Sequence, residues 1–350
     1  MTALHTRLCD LLEIRHPIVQ TGMGWVAGAR LTSATSEAGG LGILASATMS
    51  LDELGSAIGE VKARTARPFG VNLRTDSPDV EQRIELLISQ RIKVASFAMA
   101  PRADLVKRLR DGGVVVIPSI GAKRHAEKVA EMGVDAVLVQ GGEGGEHTGE
   151  VPTSILLPQV VDAVDVPVIA AGGFFDGRGL VAALAYGADG IAMGTRFLLT
   201  KESTVPDVTK AVYLAGTVTD TVVTTKVDGF PHRVLRTDVV EDLTSAGRVR
   251  TLVRSLRNAR KYRKYAKARW RDMLREGRAM QEQYGLEFSQ MLMAANAPMM
   301  LRAAMVEGKT DFGVMASGQV VGLIEDLPTV AEVIERIVKE AEATLARLAT

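Results

Sequence analysis

Eight short apolar runs, each of the first seven followed by a stretch of helical periodicity, occupy the first 200 residues and leave few folds open to the chain. They are "HPIVQTG" near Val19, "LGILAS" near Ile43, "PFGVNL" near Val71, "KVASFA" near Ala95, "VVVIPS", "AVLVQG", "VPVIAAGG" and "GIAMGTRF". Between them apolar residues recur at helical spacing, as at Leu51, Leu54, Ile58 and Val61, or Ile84, Leu87 and Ile88. The runs are almost wholly apolar instead of alternating, as parallel strands buried on both faces require. Eight such βα units predict an α/β chain closed into a (β/α)8 TIM barrel. A doubly wound sheet would use the same runs; the regular helical spacers favour the barrel.

After "GIAMGTRFLLT" the repeat breaks, and a helix-rich, Met- and Arg-rich stretch from about Lys201 to Thr310 reads as an insertion. The closing "LPTVAEVIERIVKEAEATLARL" places Val330, Val333, Ile334, Ile337, Ala341 and Leu345 on one face, which suits the missing eighth barrel helix. The predicted organisation is therefore a barrel over 1–200 and 311–350, with a helical insertion over 201–310 after strand eight, on the face where such barrels carry their chemistry.

Bulk properties exclude several classes. A length of 350 residues suits one enlarged domain, and 47% hydrophobic with 24% charged residues indicates a packed core. Cys9 is the single cysteine, so neither an internal disulfide nor a cysteine metal cluster is available. Asp10 and Glu13 interrupt any secretory core, and no apolar stretch approaches the ~18 residues of a membrane span. A cytoplasmic, soluble protein is expected. A net charge of +1 argues against general attraction to nucleic acid or membrane.

The predicted strand ends are rich in glycine: "QTGMGWVAG", "GVNLR", "PSIGAKR", "QGGEGGEHTG", "AAGGFFDGRG" and "MGTRF". Glycine there lets backbone approach a ligand, and the loops after strands seven and eight are where barrels commonly seat a phosphate. Gly172, Gly173, Gly194 and Thr195 would form that cradle, unless they serve only as turns and helix caps. Asn72 and Gln140 offer paired donors and acceptors for the edge of a flat heterocycle, with Gly22 and Met23 against its face. A flavin mononucleotide meets this description.

The ordered series "QTGMGWV", "GGLGILAS", "PFGVNL", "QGGEGGEHTG", "VIAAGGFFDGRG" and "MGTRFLLTKES", returning at "ASGQVVG", resembles the motifs of the nitronate monooxygenase (2-nitropropane dioxygenase-like) flavoproteins. Members of that family include nitronate monooxygenases, NADH:quinone reductases and flavin-dependent enoyl-acyl-carrier-protein reductases, all binding FMN in a (β/α)8 barrel. The resemblance implies FMN contacts at Thr21, Gly22, Met23, Asn72, Gln140, Gly173, Gly194, Thr195 and Gln319, and an active-site histidine at His147. Two departures sit where substrate would meet flavin: Gly24, where the family has glutamine before Trp25, and Glu146, where it has glycine. Taken whole, with "GMGWVAGARL", "PHRVLRT" and "MLMAAN", the chain is similar to an actinobacterial group acting late in steroid (cholesterol) C/D-ring breakdown, on a hydroxy-methyl-oxo-indane carboxyl-CoA.

The expected activity is thus FMN-dependent oxidoreduction of a carbon–carbon bond α,β to a CoA thioester, with NAD(P)(H) as the transient electron partner. Nitronate oxidation, quinone reduction and a non-catalytic anion-binding barrel stand as alternatives. The insertion offers thirteen Lys or Arg between Arg248 and Arg278, against Asp272 and Glu276. Arginines there, such as Arg260 and Arg263, suit the phosphates of a CoA carrier, although a solvated helix would look the same. Glu146, Trp25 and His232 complete the expected substrate contacts. His5, His16 and His125 read as structural, and no two histidines have metal-ligand spacing, so no metal is expected. A homo-oligomer stays open.

Overall fold

The computed structural model describes residues 4–245 and 288–350, which divide into two units. The first comprises Met1–Gly144, Gly149–Thr204 and Leu323–Thr350; the second comprises Gly145–Thr148 and Val205–Gly322.

In the first unit all eight apolar runs become strands. They are β1 (Ile18–Gln20), β2 (Leu41–Ala45), β3 (Phe69–Leu73), β4 (Val94–Phe97), β5 (Val115–Ile120), β6 (Val137–Gln140), β8 (Val168–Ala171) and β9 (Gly190–Met193). They pair in parallel in that order and close into a barrel where Ile18, Val19 and Gln20 of β1 meet Ile191, Ala192 and Met193 of β9. Val19, Ile43, Val94, Ile117, Leu138, Ile169 and Ala192 form one buried cluster with Leu8, Cys9 and Leu12 of α1 (Arg7–Leu12), which packs against the starts of the strands. Cys9 is a small core residue, as expected, and burial pushes its thiol above the usual value.

Helices alternate with the strands: α2 (Ala29–Glu37), α3 (Leu51–Arg64), α4 (Val80–Ser89), α5 (Ala103–Asp111), α6 (Lys123–Glu131), α7 (Thr153–Val161), α8 (Gly177–Ala185) and the short α9 (Thr195–Leu198). Leu54, Ile58 and Val61 are the buried face of α3, and Ser50 with Glu53 caps its first turn reciprocally. The ring is completed by α13 (Val330–Leu348), capped by Thr329 and Glu332. It buries Val330, Val333, Ile334, Ile337 and Ala341 and packs on α8 and α2. The sequence expectation of a TIM barrel with its eighth helix at the C-terminus therefore holds.

The second unit differs from the helical insertion expected over 201–310. Its centre is an antiparallel sheet, β10 (Thr221–Thr224), β11 (His232–Leu235) and β7 (Glu146–His147), in that order. Around it stand α10 (Asp207–Leu214), α11 (Asp238–Ser245), α12 (Phe288–Met305) and a 3-10 turn, Gln319–Leu323. Val227, Val234, Val239, Val240, Leu243, Ala297, Met300 and Val314 make its core. The fully buried Tyr213 hydroxyl donates to the Ala316 carbonyl at 2.6 Å, beside the bridge between Ala316 and Val234. A two-residue strand such as β7 has no periodicity of its own, so only long-range pairing reveals it.

Candidate active site

The first unit gathers most of the expected cofactor residues at the carboxyl ends of the barrel strands. Thr21, Gly22 and Met23 follow β1, Asn72 lies in β3, Gln140 ends β6, Gly172 and Gly173 follow β8, and Gly194 and Thr195 join β9 to α9. Gly22 is pressed so closely against the Asn72 side chain that a Cβ there would overlap it. The Asn72 amide reaches Ser96 only at 3.5 Å, the outer limit of a hydrogen bond, and so retains capacity for a ligand edge. Gln20, wholly buried at the end of β1, leaves its Oε1 without a hydrogen-bond partner among the described residues.

Gly172 and Gly173 are consecutive left-handed residues, φ 89° and 87°, a turn that side-chain-bearing residues resist. The Thr153 hydroxyl ties this turn to the loop after β6, lying 2.9 Å from the Gly172 carbonyl and 2.7 Å from a Glu143 carboxylate oxygen. Gly144 abuts the Gln140 amide in the same loop. Bare backbone, a planar amide and a strand-end turn therefore converge at the barrel's carboxyl rim, and this set fits a flavin with a phosphate. Trp25, in the turn before α2, adopts φ 65°. A large residue in that region signals local backbone strain in this turn.

The second unit holds the expected catalytic histidine in a cluster the linear sequence did not disclose. His147 of β7 and His232 of β11 are cross-strand partners, so both imidazoles project from one face of the sheet with ring centroids 4.9 Å apart. Asp228, in the turn between β10 and β11, lies between them. Its Oδ2 is 2.6 Å from His147 Nε2 and 3.2 Å from His232 Nδ1, while its Oδ1 accepts from the Phe230 backbone N–H at 3.1 Å. Exposure falls from 57% for the His147 side chain to 13% for Asp228 and 1% for His232. Burial alone would raise the Asp228 carboxyl, but hydrogen bonds and charge from the two imidazoles outweigh it and hold the group well below the usual carboxylate range. The Phe230 ring meets His147 edge-on at 6.0 Å.

Glu146 points to the opposite face, where its strand partner is Arg233. Its backbone is left-handed, φ 64°, at the position where the sequence departs from a glycine. Burial, and then the Glu146 carboxylate, keep the Tyr213 phenol well above its ordinary value, so it stays a neutral donor. Gln319 opens the 3-10 turn of this unit. Arg260 and Arg263, with the basic stretch around them, lie outside the described residues. Asp228 is the residue that sequence reasoning missed; an Asp four positions before His232 carries no signal without the hairpin that folds it back.

The comparisons with known proteins bear on the family and the fold. The family model described as nitronate monooxygenase matches residues 5–83 and 77–340. The chain is 60% identical over 341 residues to a Mycobacterium tuberculosis protein named (3aS,4S,5R,7aS)-5-hydroxy-7a-methyl-1-oxo-octahydro-1H-indene-4-carboxyl-CoA dehydrogenase, covering 97% of this chain and 96% of that one. A Rhodococcus jostii protein of the same name is 58% identical, with 97% of each chain covered. Among solved structures, FabK from Thermotoga maritima superposes with a TM-score of 0.79 at 36% identity, over 98% of both chains.

Proposed function

The chain belongs to the nitronate monooxygenase family of flavin oxidoreductases, and from that premise we propose that it oxidises or reduces the carbon–carbon bond α,β to a CoA thioester on a bicyclic intermediate of steroid degradation. The observation that carries this reading is the 60% identity, over 97% of the chain, to a relative named for that thioester. The flavin would be FMN, and the residues that would hold it are Thr21, Gly22, Met23, Asn72, Gln140, Gly172, Gly173, Gly194 and Thr195, with Gln319 expected as a further contact. NAD(P)(H) is the electron partner.

When bound, FMN would supply the hydride chemistry at the β-carbon. The protein supplies the proton chemistry. The thioester acidifies the α-hydrogen, which leaves as a proton while the β-hydrogen leaves as hydride; the reverse saturates the bond. His147 carries this α-proton. Its Nε2 is engaged by Asp228, so exchange with substrate runs through Nδ1. The ionised Asp228 holds a proton on Nε2, fixes the ring's orientation and stabilises the imidazolium when Nδ1 is also protonated. Glu146 and Trp25 shape the acyl site, and Arg260 and Arg263 meet the CoA phosphates bidentately; His232, expected among the substrate contacts, is only 1% exposed and does not reach the substrate.

The test is anaerobic mixing of the yellow protein, oxidised or reduced, with an alicyclic acyl-CoA, a nitronate and a quinone while the flavin band is followed. Rapid change with the acyl-CoA is expected. Turnover with nitronate alone rejects the proposal, and a protein that neither contains nor takes up FMN rejects flavin catalysis altogether.

A further inference from the structure

We propose that His147, Asp228 and His232 form a binding site for one divalent transition metal ion, best suited to Zn2+. A catalytic imidazole oriented by a carboxylate needs one histidine and one acid. The second imidazole has no part in that pair, yet it is 1% exposed, shares the same Asp228 oxygen, and leaves its Nε2 without a partner among the described residues. Burying an unsatisfied ring nitrogen costs about 1–3 kcal/mol, which an apolar residue on β11 would avoid. As a ligand His232 would act through Nδ1, the ring nitrogen that faces Asp228 Oδ2, and this gives the buried ring a role that the orphaned Nε2 does not explain.

The geometry is that of a preformed ligand set. One ligand atom from each residue lies within 4.8 Å of the others. The contacts of 2.6 and 3.2 Å to Asp228 Oδ2 approach the edge of a zinc tetrahedron, about 3.3 Å for metal–ligand bonds near 2.0 Å. Three features hold the ligands in place: the strand pairing of His147 with His232, the buried wall around His232, and the Phe230 N–H fixing Asp228 Oδ1. The half-exposed His147 leaves an open side for the ion to enter and for solvent to complete its coordination. Two imidazoles and one carboxylate select a borderline metal over Mg2+ or Ca2+.

The consequence rests on the proposed function: a metal on His147 Nε2 takes the imidazole from Asp228, so Zn2+ inhibits turnover. The binding itself does not depend on that reading. Flavin-loaded full-length protein is titrated with Zn2+ by calorimetry, and with Co2+ while its ligand-field bands are followed beyond the flavin absorption. One ion per chain is expected, with affinity lowered at least about 100-fold in Asp228→Asn and in His232→Gln. Flavin content and melting temperature confirm that each variant is folded, and the isosteric Asp228→Asn serves if the buried substitution is not. The other histidines, His5, His16 and His125, are left intact in both variants. Absence of stoichiometric binding, or binding undiminished in both variants, overturns the site. Binding that depends on these residues while turnover continues unchanged upholds the site and instead rejects His147 as the proton carrier.

Discussion

His147 and His232 face each other across the β7–β11 ladder with ring centroids 4.9 Å apart, and both address the single Asp228 oxygen between them. The exposed ring meets solvent, whereas the other is sealed in the second unit's interior. That asymmetry supports the proposed assignment of the outer imidazole to proton transfer, with Asp228 orienting it.

Replacing Asp228 with Asn keeps the shape of the side chain but leaves an amide against His147 Nε2. Turnover is expected to fall about 10²–10⁴-fold, the range of a general acid–base contribution, with flavin content unchanged. His147→Ala should lose a similar amount, and the double variant little more, because the two act as one unit. Steady-state kinetics on the acyl-CoA measure this; additive losses contradict the pairing.

The left-handed Glu146 stores strain that glycine would not. Glu146→Gly should be neutral to stabilising by up to about 1 kcal/mol, the relief of φ 64° being partly offset by the greater freedom of an unfolded glycine. Glu146→Ala keeps the strain and should show no gain. Thermal melts of the two variants separate backbone strain from any effect of the carboxylate, while substrate KM reports the latter.

Gly22 has no room for a methyl group beside Asn72. Gly22→Ala should displace the Asn72 amide, cost about 1–3 kcal/mol of overpacking and lower the FMN recovered per chain several-fold. Released flavin is counted by its absorbance against protein, with circular dichroism confirming the barrel. Full flavin content in the variant would remove Gly22 and Asn72 from the cofactor site.

In the barrel, the Arg83 guanidinium donates to Asp79 at 2.8 Å and also to the Ser46 and Met49 carbonyls, so the buried cation is held on three sides. Its hydrogen bond to Asp79 is the main cause that keeps this carboxyl below its ordinary value, against the opposing effect of burial. A carboxyl depressed in the folded state stabilises above its unfolded pKa of about 3.9, and that contribution disappears as pH falls through the folded value. Asp79→Asn should therefore cost about 2 kcal/mol at neutral pH and flatten the loss of stability below about pH 4. Denaturant melts across that range show it; parallel curves for the two proteins would refute it.

How much of this was readable in advance depends on how local each signal is. Strands buried on both faces and helices with one apolar face write their pattern into neighbouring residues, so the eight runs and the terminal helix appeared in the expected places. Strand-end residues such as Asn72, Gln140 and Gly172 followed, because barrel topology alone carries them to one rim. Nothing local marked the sheet of the second unit. His147 and Asp228 are separated by 81 positions, and their meeting depends on the β10–β11 hairpin closing and on the two residues of β7 pairing with β11. The sequence by itself thus determined the barrel, its rim and the histidine on the loop after β6. Only the tertiary structure decided that this imidazole would share a carboxylate with a second, buried one, because strand register between distant segments is set by packing and not by any pattern within them.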